Sequence, residues 1–278
     1  MSFFNFVCYT YGNLWELRRG DMGNLTRLDH IMKLLMQRKK ISVEELASIL
    51  NVTPTTIRRD LLVLEEKHQI TRTRGYALFN DEYHVQYNGH LRTELFYDEK
   101  QRIASKALEL VHSHSSIFLD SGTTVLEFAK ELNQRSDFED INIVTNAIDI
   151  AQALYNNNQI FMPGGVLHHY SKVLFGINTA SYFKDINADI AFMGTNGLLN
   201  SPGLTVSIPH FLDIKKNMIN SATKVVGMAD SSKFMCNGIY TYCNYEDLNV
   251  LITVKTEENE GALERLAGRY PGLEIVLA

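Results

Sequence analysis

From residue 99 onward, apolar runs of strand length alternate with helical stretches, and no other feature constrains the fold as strongly. Continuous apolar strands separated by helices are typical of a parallel sheet whose two faces are both covered. We therefore predict that residues 99–278 form an α/β domain with a mostly parallel sheet covered by helices. The predicted strands are Ser116–Asp120, Ile141–Thr145, Ile160–Met162, Ala188–Met193, Lys224–Met228 and Val250–Thr253.

Residues 22–80 show a different pattern, which indicates three short helices. Apolar residues recur at helical spacing between Leu25 and Leu35 and predict the first helix. Ser42 and Glu45 form a capping box that begins the second. An N-cap followed by the proline favoured at the first helical position, Thr53-Pro54, begins the third.

The third helix is followed by two short strands, Ile70–Arg74 and Tyr76–Phe79, around Gly75. Three helices and a hairpin in this order predict a small N-terminal winged helix-turn-helix, a DNA-binding domain, over residues 22–80. Residues 81–98 are polar and aromatic without a clean period, so we interpret them as a linker.

The first 21 residues crowd six aromatic side chains together without helical periodicity. The run from Arg18 to Met22 is what a purine-rich ribosome-binding site would encode if it were read in frame. We expect Met22 to be the natural start and residues 1–21 to be a non-native leader. The alternative is a genuine but poorly ordered N-terminal arm.

Charge is divided unevenly along the chain. Residues 22–79 carry ten Lys and Arg against six Asp and Glu. From residue 80 onward, there are 15 Lys and Arg against 24 Asp and Glu. A basic segment on an acidic body fits a nucleic-acid contact surface. The net charge of −5 argues against non-specific chromosome packaging.

Compartment and cofactor use follow from what the sequence lacks. No apolar run approaches the roughly 18 residues of a membrane span. The three cysteines fit no metal or disulfide pattern. We therefore expect a cytoplasmic protein with reduced thiols, no membrane association, no cofactor and no metal site.

The start of the third helix is the candidate DNA-reading surface. The second helix of a helix-turn-helix enters the major groove, where hydroxyl side chains approach bases and arginine reads guanine or clamps phosphate. The alternative is a solvated helix face on which Asp60 pairs with an arginine. The predicted DNA-binding residues, which include two on the hairpin, are Thr53, Thr55, Thr56, Arg58, Arg59, Arg72 and Arg74.

A candidate anion site follows the first predicted strand of the α/β domain. The segment Asp120-Ser121-Gly122-Thr123-Thr124 leads from that strand into a helix. Backbone amides at a helix N-terminus point at an anion, and glycine lets it come close. The alternative is that this segment is simply a turn.

Other strands also end in polar or glycine-rich segments. Ligands of open parallel sheets bind beyond the carboxyl ends of the strands, so these segments predict a shared binding crevice. Its candidate residues are Thr145, Asn146, Gly164, Gly165, Gly194, Thr195, Asn196 and Gly197, with Lys233 after a further strand.

The segment Thr53–Leu61 closely resembles the recognition helix of the DeoR family of bacterial repressors. Arg27, Ile31 and Leu35 also fit the family's helix-turn-helix signature, as does the wing Thr71–Ala77. In the wing, however, Tyr76 stands where a second glycine is usual, which leaves the conformation of the wing open.

The order of the polar strand ends resembles the sugar-sensing domain of the same family, which is related in fold to ribose-5-phosphate isomerase and glucosamine-6-phosphate deaminase. The resemblance implies that Asp120–Thr124 cradle a phosphate and that Gly194–Gly197 face the sugar. It also implies that Lys215 and Lys233 supply positive charge.

Three departures from the family pattern concern the sugar site. Asn196 stands where aspartate is usual, and Asp213 where glutamate is usual. The arginine expected after Gly165 is absent, and His168 and His169 lie nearby. Adjacent histidines point to opposite sides of a strand, so we expect exposed or partly packed imidazoles rather than a metal site.

These observations predict a repressor of a carbohydrate-utilisation operon whose affinity for a double-stranded DNA operator is controlled by a phosphorylated sugar. We expect a homodimer or homotetramer and no catalytic residue. The alternative is a sugar-phosphate isomerase or deaminase with a DNA-binding appendage. That chemistry needs an acid/base near the reacting carbon. Asn196 cannot transfer protons, but Asp120 and Asp213 remain candidates.

Overall fold

The structure is a computed structural model that describes residues 22–66, 70–79, 93, 95–155 and 159–278. It divides into two units, Met1–Phe79 and Asn80–Ala278. The prediction for residues 1–21 and most of the predicted linker lie outside the described residues.

The first unit contains the predicted helices and hairpin, with one additional strand. Ser42 Oγ accepts the Glu45 amide at 3.1 Å, as the capping box predicts. The additional strand is only three residues long, which is too short for a recognisable alternation, and it pairs antiparallel to the last strand of the hairpin. The elements are α1 (Met22–Arg38), β1 (Lys40–Ser42), α2 (Val43–Ile49), α3 (Pro54–Glu66), β2 (Ile70–Thr73) and β3 (Tyr76–Phe79).

The second unit contains all six predicted strands, each within two residues of its predicted bounds. Its first helix begins at Tyr97, two residues inside the predicted linker. The elements are α4 (Tyr97–Leu108), β4 (Ser116–Leu119), α5 (Thr123–Asn133), β5 (Asn142–Thr145), α6 (Ile148–Ala153), β6 (Gln159–Phe161), β7 (Val166–His168), β8 (Val173–Phe175), α7 (Ile177–Lys184), β9 (Ala188–Gly194), β10 (Gly203–Val206), α8 (Leu212–Asn220), β11 (Ala222–Ala229), β12 (Tyr240–Asn244), β13 (Val250–Thr253), α9 (Glu260–Arg269) and β14 (Glu274–Leu277).

Strands β7, β8, β10, β12 and β14 were not predicted. They lie outside the centre of the main sheet, so they lack the continuous apolar runs that mark central strands. Gly203, at the start of β10, is required by close packing, because a Cβ there would lie 1.8 Å from the Cys243 carbonyl oxygen on β12.

In the described residues, the main sheet has seven strands in the order β14-β13-β11-β9-β4-β5-β6. Every neighbouring pair is parallel, which confirms the predicted fold class. The chain starts at β4, runs outward through β5 and β6, and then returns to β9 on the other side of β4. The order therefore reverses between β4 and β9, and such a reversal leaves a crevice at the carboxyl ends of the two strands.

Helices cover both faces of the sheet. Right-handed crossovers place α5, which follows β4, and α8, which precedes β11, on opposite faces because the winding reverses between them. Helix α4 packs against α5, and α7 packs against α8. The core between the layers includes Phe128 and Phe192, whose ring centroids lie 4.4 Å apart. Among the described helices, none has the length and apolar character to cross a bilayer.

Candidate nucleic-acid interface and effector crevice

Helix α3 presents one exposed stripe. Ile57, Leu61 and Leu64 are buried, while Thr55, Arg58 and Arg59 are exposed. Leu62 is 44% exposed on the same stripe, seven residues after Thr55. The sequence reasoning missed Leu62, although its spacing from Thr55 was the available signal. An exposed leucine beside arginines can contact a thymine methyl group.

Two of the threonine hydroxyls that were predicted to contact DNA form hydrogen bonds at the start of α3. Thr53 Oγ1 accepts the Thr56 amide at 3.2 Å and lies 2.9 Å from the Thr56 hydroxyl. These two side chains therefore cap α3, as the sequence predicts for Thr53. Among the three predicted threonines, Thr55 is the exposed one whose hydroxyl is not part of the cap.

The two wing arginines have different surroundings. Arg72 holds the wing against α3, because its Nε lies 2.9 Å from Glu65 Oε2 and its backbone amide donates to Glu65 Oε1 at 3.1 Å. Arg74 is exposed at the tip of the hairpin, beside Gly75. Gly75 has a φ of +82°, a conformation that glycine adopts without strain.

A partly buried ion pair joins α1 to α3. Arg27 Nε and Nη2 on α1 donate to both carboxylate oxygens of Asp60, at 2.6 and 3.0 Å. The hydrogen bond to Asp60 raises the pKa of Arg27. Asp60 pairs with an arginine, as the alternative interpretation allowed, but this pair occupies the buried face of α3. Arg58 and Arg59 remain on the exposed face.

In the second unit, the first turn of α5 lies at the reversal point between β4 and β9. Gly122 precedes the helix with a φ of +124°, and a Cβ there would meet no atom within 4 Å. Ser121 and Thr123 are partly exposed. The first amides of a helix have no partner within the helix, so this turn offers donors and open space together.

Asp120 follows β4 at the reversal point and is buried. Its side chain is 2% exposed, its Oδ2 accepts the Gly194 amide at 2.9 Å, and it forms an ion pair with Lys215. The Tyr242 hydroxyl donates to the Gly194 carbonyl at 2.5 Å. Burial, with a further contribution from Asp120, raises the pKa of Tyr242 well above its ordinary value. Asp120 and Lys215 therefore tie β4, β9 and α8 together and neutralise each other.

Several predicted crevice residues are committed to internal contacts. Thr145 Oγ1 accepts the Ala147 amide, Thr195 Oγ1 donates to the Gly197 carbonyl, and Asn146 Nδ2 donates to the Leu174 carbonyl. Two glycines are required by close approach. A Cβ at Gly165 would lie 2.1 Å from Thr179 Oγ1, and one at Gly197 would lie 2.0 Å from the Cys236 carbonyl oxygen.

The remaining predicted crevice residues differ in exposure. Asn196 is partly exposed, and its Oδ1 accepts the Ser207 amide at 3.1 Å. The Thr179 hydroxyl donates to the carbonyl of Gly164. Asp213 is exposed on α8, whereas Lys215 is buried two residues later. The side chains of Asp213 and Lys215 therefore lie on different sides of α8. Thr124 is buried.

A loop after β11 adds contacts that the sequence reasoning missed. The amide and hydroxyl of Ser231 donate to the Glu99 carboxylate at 2.8 and 2.9 Å. Lys233 Nζ lies 3.5 Å from Asp230 Oδ2. No sequence signal connects Glu99 with Ser231, because 132 residues separate them.

His168 packs among aromatic rings, as expected for a partly packed imidazole. Its ring centroid lies 5.5 Å from that of Phe211, and its Nδ1 accepts the Ser171 amide at 3.3 Å. Burial and the nearby His210 lower the pKa of His168.

Comparison with known proteins gives matches over both units. Residues 27–83 match the DeoR-like helix-turn-helix domain, and residues 95–255 match the DeoR C terminal sensor domain. The HTH-type transcriptional repressor GlcR of Bacillus subtilis is 32% identical over 82% of this chain and 87% of its own length. The lactose phosphotransferase system repressor of Staphylococcus epidermidis is 29% identical over 84% of this chain and 92% of its own length.

Among solved structures, ribose 5-phosphate isomerase A of Methanocaldococcus jannaschii is 18% identical, with a TM-score of 0.35, over 49% of this chain and 54% of that one. The two family matches together extend over most of the described chain. This protein belongs to the DeoR family of DNA-binding transcriptional regulators and is a regulator rather than an enzyme.

Proposed function

We propose that the protein represses a sugar-utilisation operon and that a phosphorylated sugar, bound at the first turn of α5, controls its affinity for the operator. The observation that carries the proposal is the position of this turn. It combines helix-terminal amides, a glycine with open space above it and two partly exposed hydroxyl residues at the reversal point of the sheet. This arrangement binds phosphate in other α/β proteins.

The charges around the crevice refine the proposed binding mode. Asp120 and Lys215 neutralise each other, so the α5 amides supply the attraction for the phosphate together with Lys233, which is 17% exposed. Asn196 carries a neutral amide at a position where the family usually has an aspartate carboxylate. Because its Oδ1 already accepts the Ser207 amide, its Nδ2 is the group available to donate to a sugar oxygen.

The repressor part of the proposal draws on the relatives. The two relatives described above, of Bacillus subtilis and Staphylococcus epidermidis, are repressors, the second of a lactose phosphotransferase system. We further propose a homodimer or homotetramer, because paired recognition helices read repeated half-sites.

The test measures operator release. The full-length protein selects its operator from random-sequence DNA, and operator affinity is then measured with and without pentose and hexose phosphates. A cognate sugar phosphate should change operator affinity by at least about fivefold, the lower end of ordinary allosteric coupling. The same sugar without its phosphate should change it little. Equal responses to the two forms would overturn the phosphate site.

Replacing Arg58 with alanine should weaken operator binding by about 1–3 kcal/mol if Arg58 reads a base. Its exposed position near the start of α3 is the reason. Fluorescence anisotropy with the selected operator measures the change. The matched control is Arg135→Ala, which removes an exposed, ion-paired arginine from the sensor domain. Equal operator affinity in the two variants would contradict the role of Arg58.

A further inference from the structure

The loop Asp230–Lys233 connects the crevice to the first helix of the sensor domain. On the crevice side, the Lys233 carbonyl accepts the Leu198 amide at 2.7 Å, in the segment that follows β9. On the other side, the Ser231 amide and hydroxyl both bind the Glu99 carboxylate in the first turn of α4. A displacement of this loop therefore acts on α4 directly.

Within this loop, the Asp230 carboxylate is fully buried, and the charges of two lysines lower its pKa. Burial alone would raise the pKa of Asp230, but the charges of Lys233 and Lys100 together with the hydrogen bonds from Ser232 outweigh it, and the pKa is lowered. Oδ1 accepts the Ser232 amide, whereas Oδ2 accepts no hydrogen bond from the described residues. Oδ2 interacts with Lys233 through charge alone, at 3.5 Å. Asp230 could therefore exchange Lys233 for another cation at Oδ2 without losing a hydrogen bond.

The second lysine, Lys100, is 2% exposed and donates a hydrogen bond from its Nζ to the Leu95 carbonyl. Leu95 and Phe96 form the linker junction, the point where the chain coming from the DNA-binding unit reaches α4. Phe96 is buried and has a φ of +58°, which is uncommon for an aromatic residue. Lys100 thus holds the carbonyl next to a strained backbone position.

We propose that Lys100 and Glu99 are positioning residues that couple anion binding at Lys233 to the linker junction. The inference rests on the proposed function, because it needs an anionic effector in the crevice. An anion that pairs with Lys233 removes that cation from Asp230. A buried carboxylate that loses its partner is strongly destabilised. Lys100 then moves from the Leu95 carbonyl toward Asp230, and the linker junction loses a hydrogen bond.

The experiment measures coupling in the full-length protein. Operator affinity is determined with and without saturating ribose 5-phosphate, glucose 6-phosphate or inorganic phosphate, and the ratio of the two dissociation constants is the coupling factor. Direct binding of each probe is measured separately by calorimetry. In the wild type the most effective probe should give a coupling factor of at least about five.

Lys100→Met keeps the length of the side chain but removes its charge. We expect its coupling factor to fall below about two, because without the Lys100–Leu95 hydrogen bond its operator affinity in the absence of the probe should already approach that of the probe-bound wild type. Lys100→Arg should restore most of the coupling. The matched control is Lys106→Met on the same helix, because Lys106 pairs with the exposed Glu109 and should leave coupling unchanged. Wild-type coupling in Lys100→Met overturns the inference.

A second variant covers the case in which Lys100→Met fails to fold. Ser231→Ala removes one donor to Glu99 with little change in volume, and it should also lower the coupling factor. Hydrogen exchange over residues 93–103 should rise when the probe is added to the wild type and stay constant in Ser231→Ala. Wild-type coupling in Ser231→Ala, or exchange that does not rise when the probe is added to the wild type, would overturn the inference. If no phosphate probe binds the wild type, the proposed function itself fails, and the inference fails with it.

Discussion

Replacing Lys215 with methionine should lower the unfolding free energy of the sensor domain by about 3–5 kcal/mol, because the buried Asp120 carboxylate then loses its counter-charge. The side chains of Lys215 and Asp120 are 6% and 2% exposed, so solvent cannot take over the role of the lost ammonium. Urea unfolding followed by hydrogen exchange in the strands of the main sheet measures the change in this domain alone.

Two further variants isolate the pair from the general effect of removing a lysine. Lys216→Met changes the exposed neighbouring residue of the same helix and should shift stability by less than about 0.5 kcal/mol. Adding Asp120→Asn to Lys215→Met should recover part of the loss, because asparagine carries no charge and its oxygen can still accept the Gly194 amide. A loss below about 1 kcal/mol in Lys215→Met would show that the pair does not hold β4, β9 and α8 together.

Replacing Thr123 with glutamate should weaken effector binding at least about a hundredfold and abolish the effector's influence on operator affinity. A carboxylate at the first turn of α5 would occupy the proposed phosphate position. Two like charges about 4 Å apart repel by about 4 kcal/mol near a protein surface. The fold should tolerate the change, because Thr123 is partly exposed and acidic residues are favourable at a helix N-terminus.

Calorimetric titration with the sugar phosphate that binds the wild type gives the affinity change. Gln134→Glu is the matched control, since it adds the same charge beyond the other end of α5 and should leave effector binding within about threefold. If Thr123→Glu binds the effector as tightly as this control does, the phosphate site does not lie at the first turn of α5.

The helices of the DNA-binding unit could be predicted because their signals are local. Ser42 and Thr53 cap their helices through residues three positions away, and the structure shows both hydrogen bonds. The binding partner of each arginine could not be predicted in the same way. Arg72 binds Glu65, seven residues earlier in the chain and in a different element. Such contacts depend on how the wing folds against α3.

The candidate ligand crevice also has features that could be predicted from the sequence and features that could not. Its place at the strand ends follows from the order of apolar runs and polar segments. The assignment of individual residues does not, because a polar residue at a strand end can face a ligand or bind its neighbours. Asp120 was predicted to cradle phosphate, but its carboxylate accepts hydrogen bonds from Gly194 and Lys215, so it cannot donate one to an anion.

By itself, the sequence determined the helix-turn-helix unit and the parallel sheet of the second unit, because periodicity and helix caps act over a few residues. Only the tertiary structure decided which polar groups remain available to a ligand. The Asp120–Lys215 pair joins positions 95 residues apart, and the Ser231–Glu99 contact joins positions 132 residues apart. Burial makes such partnerships strong, and it is the folded chain that brings the partners together.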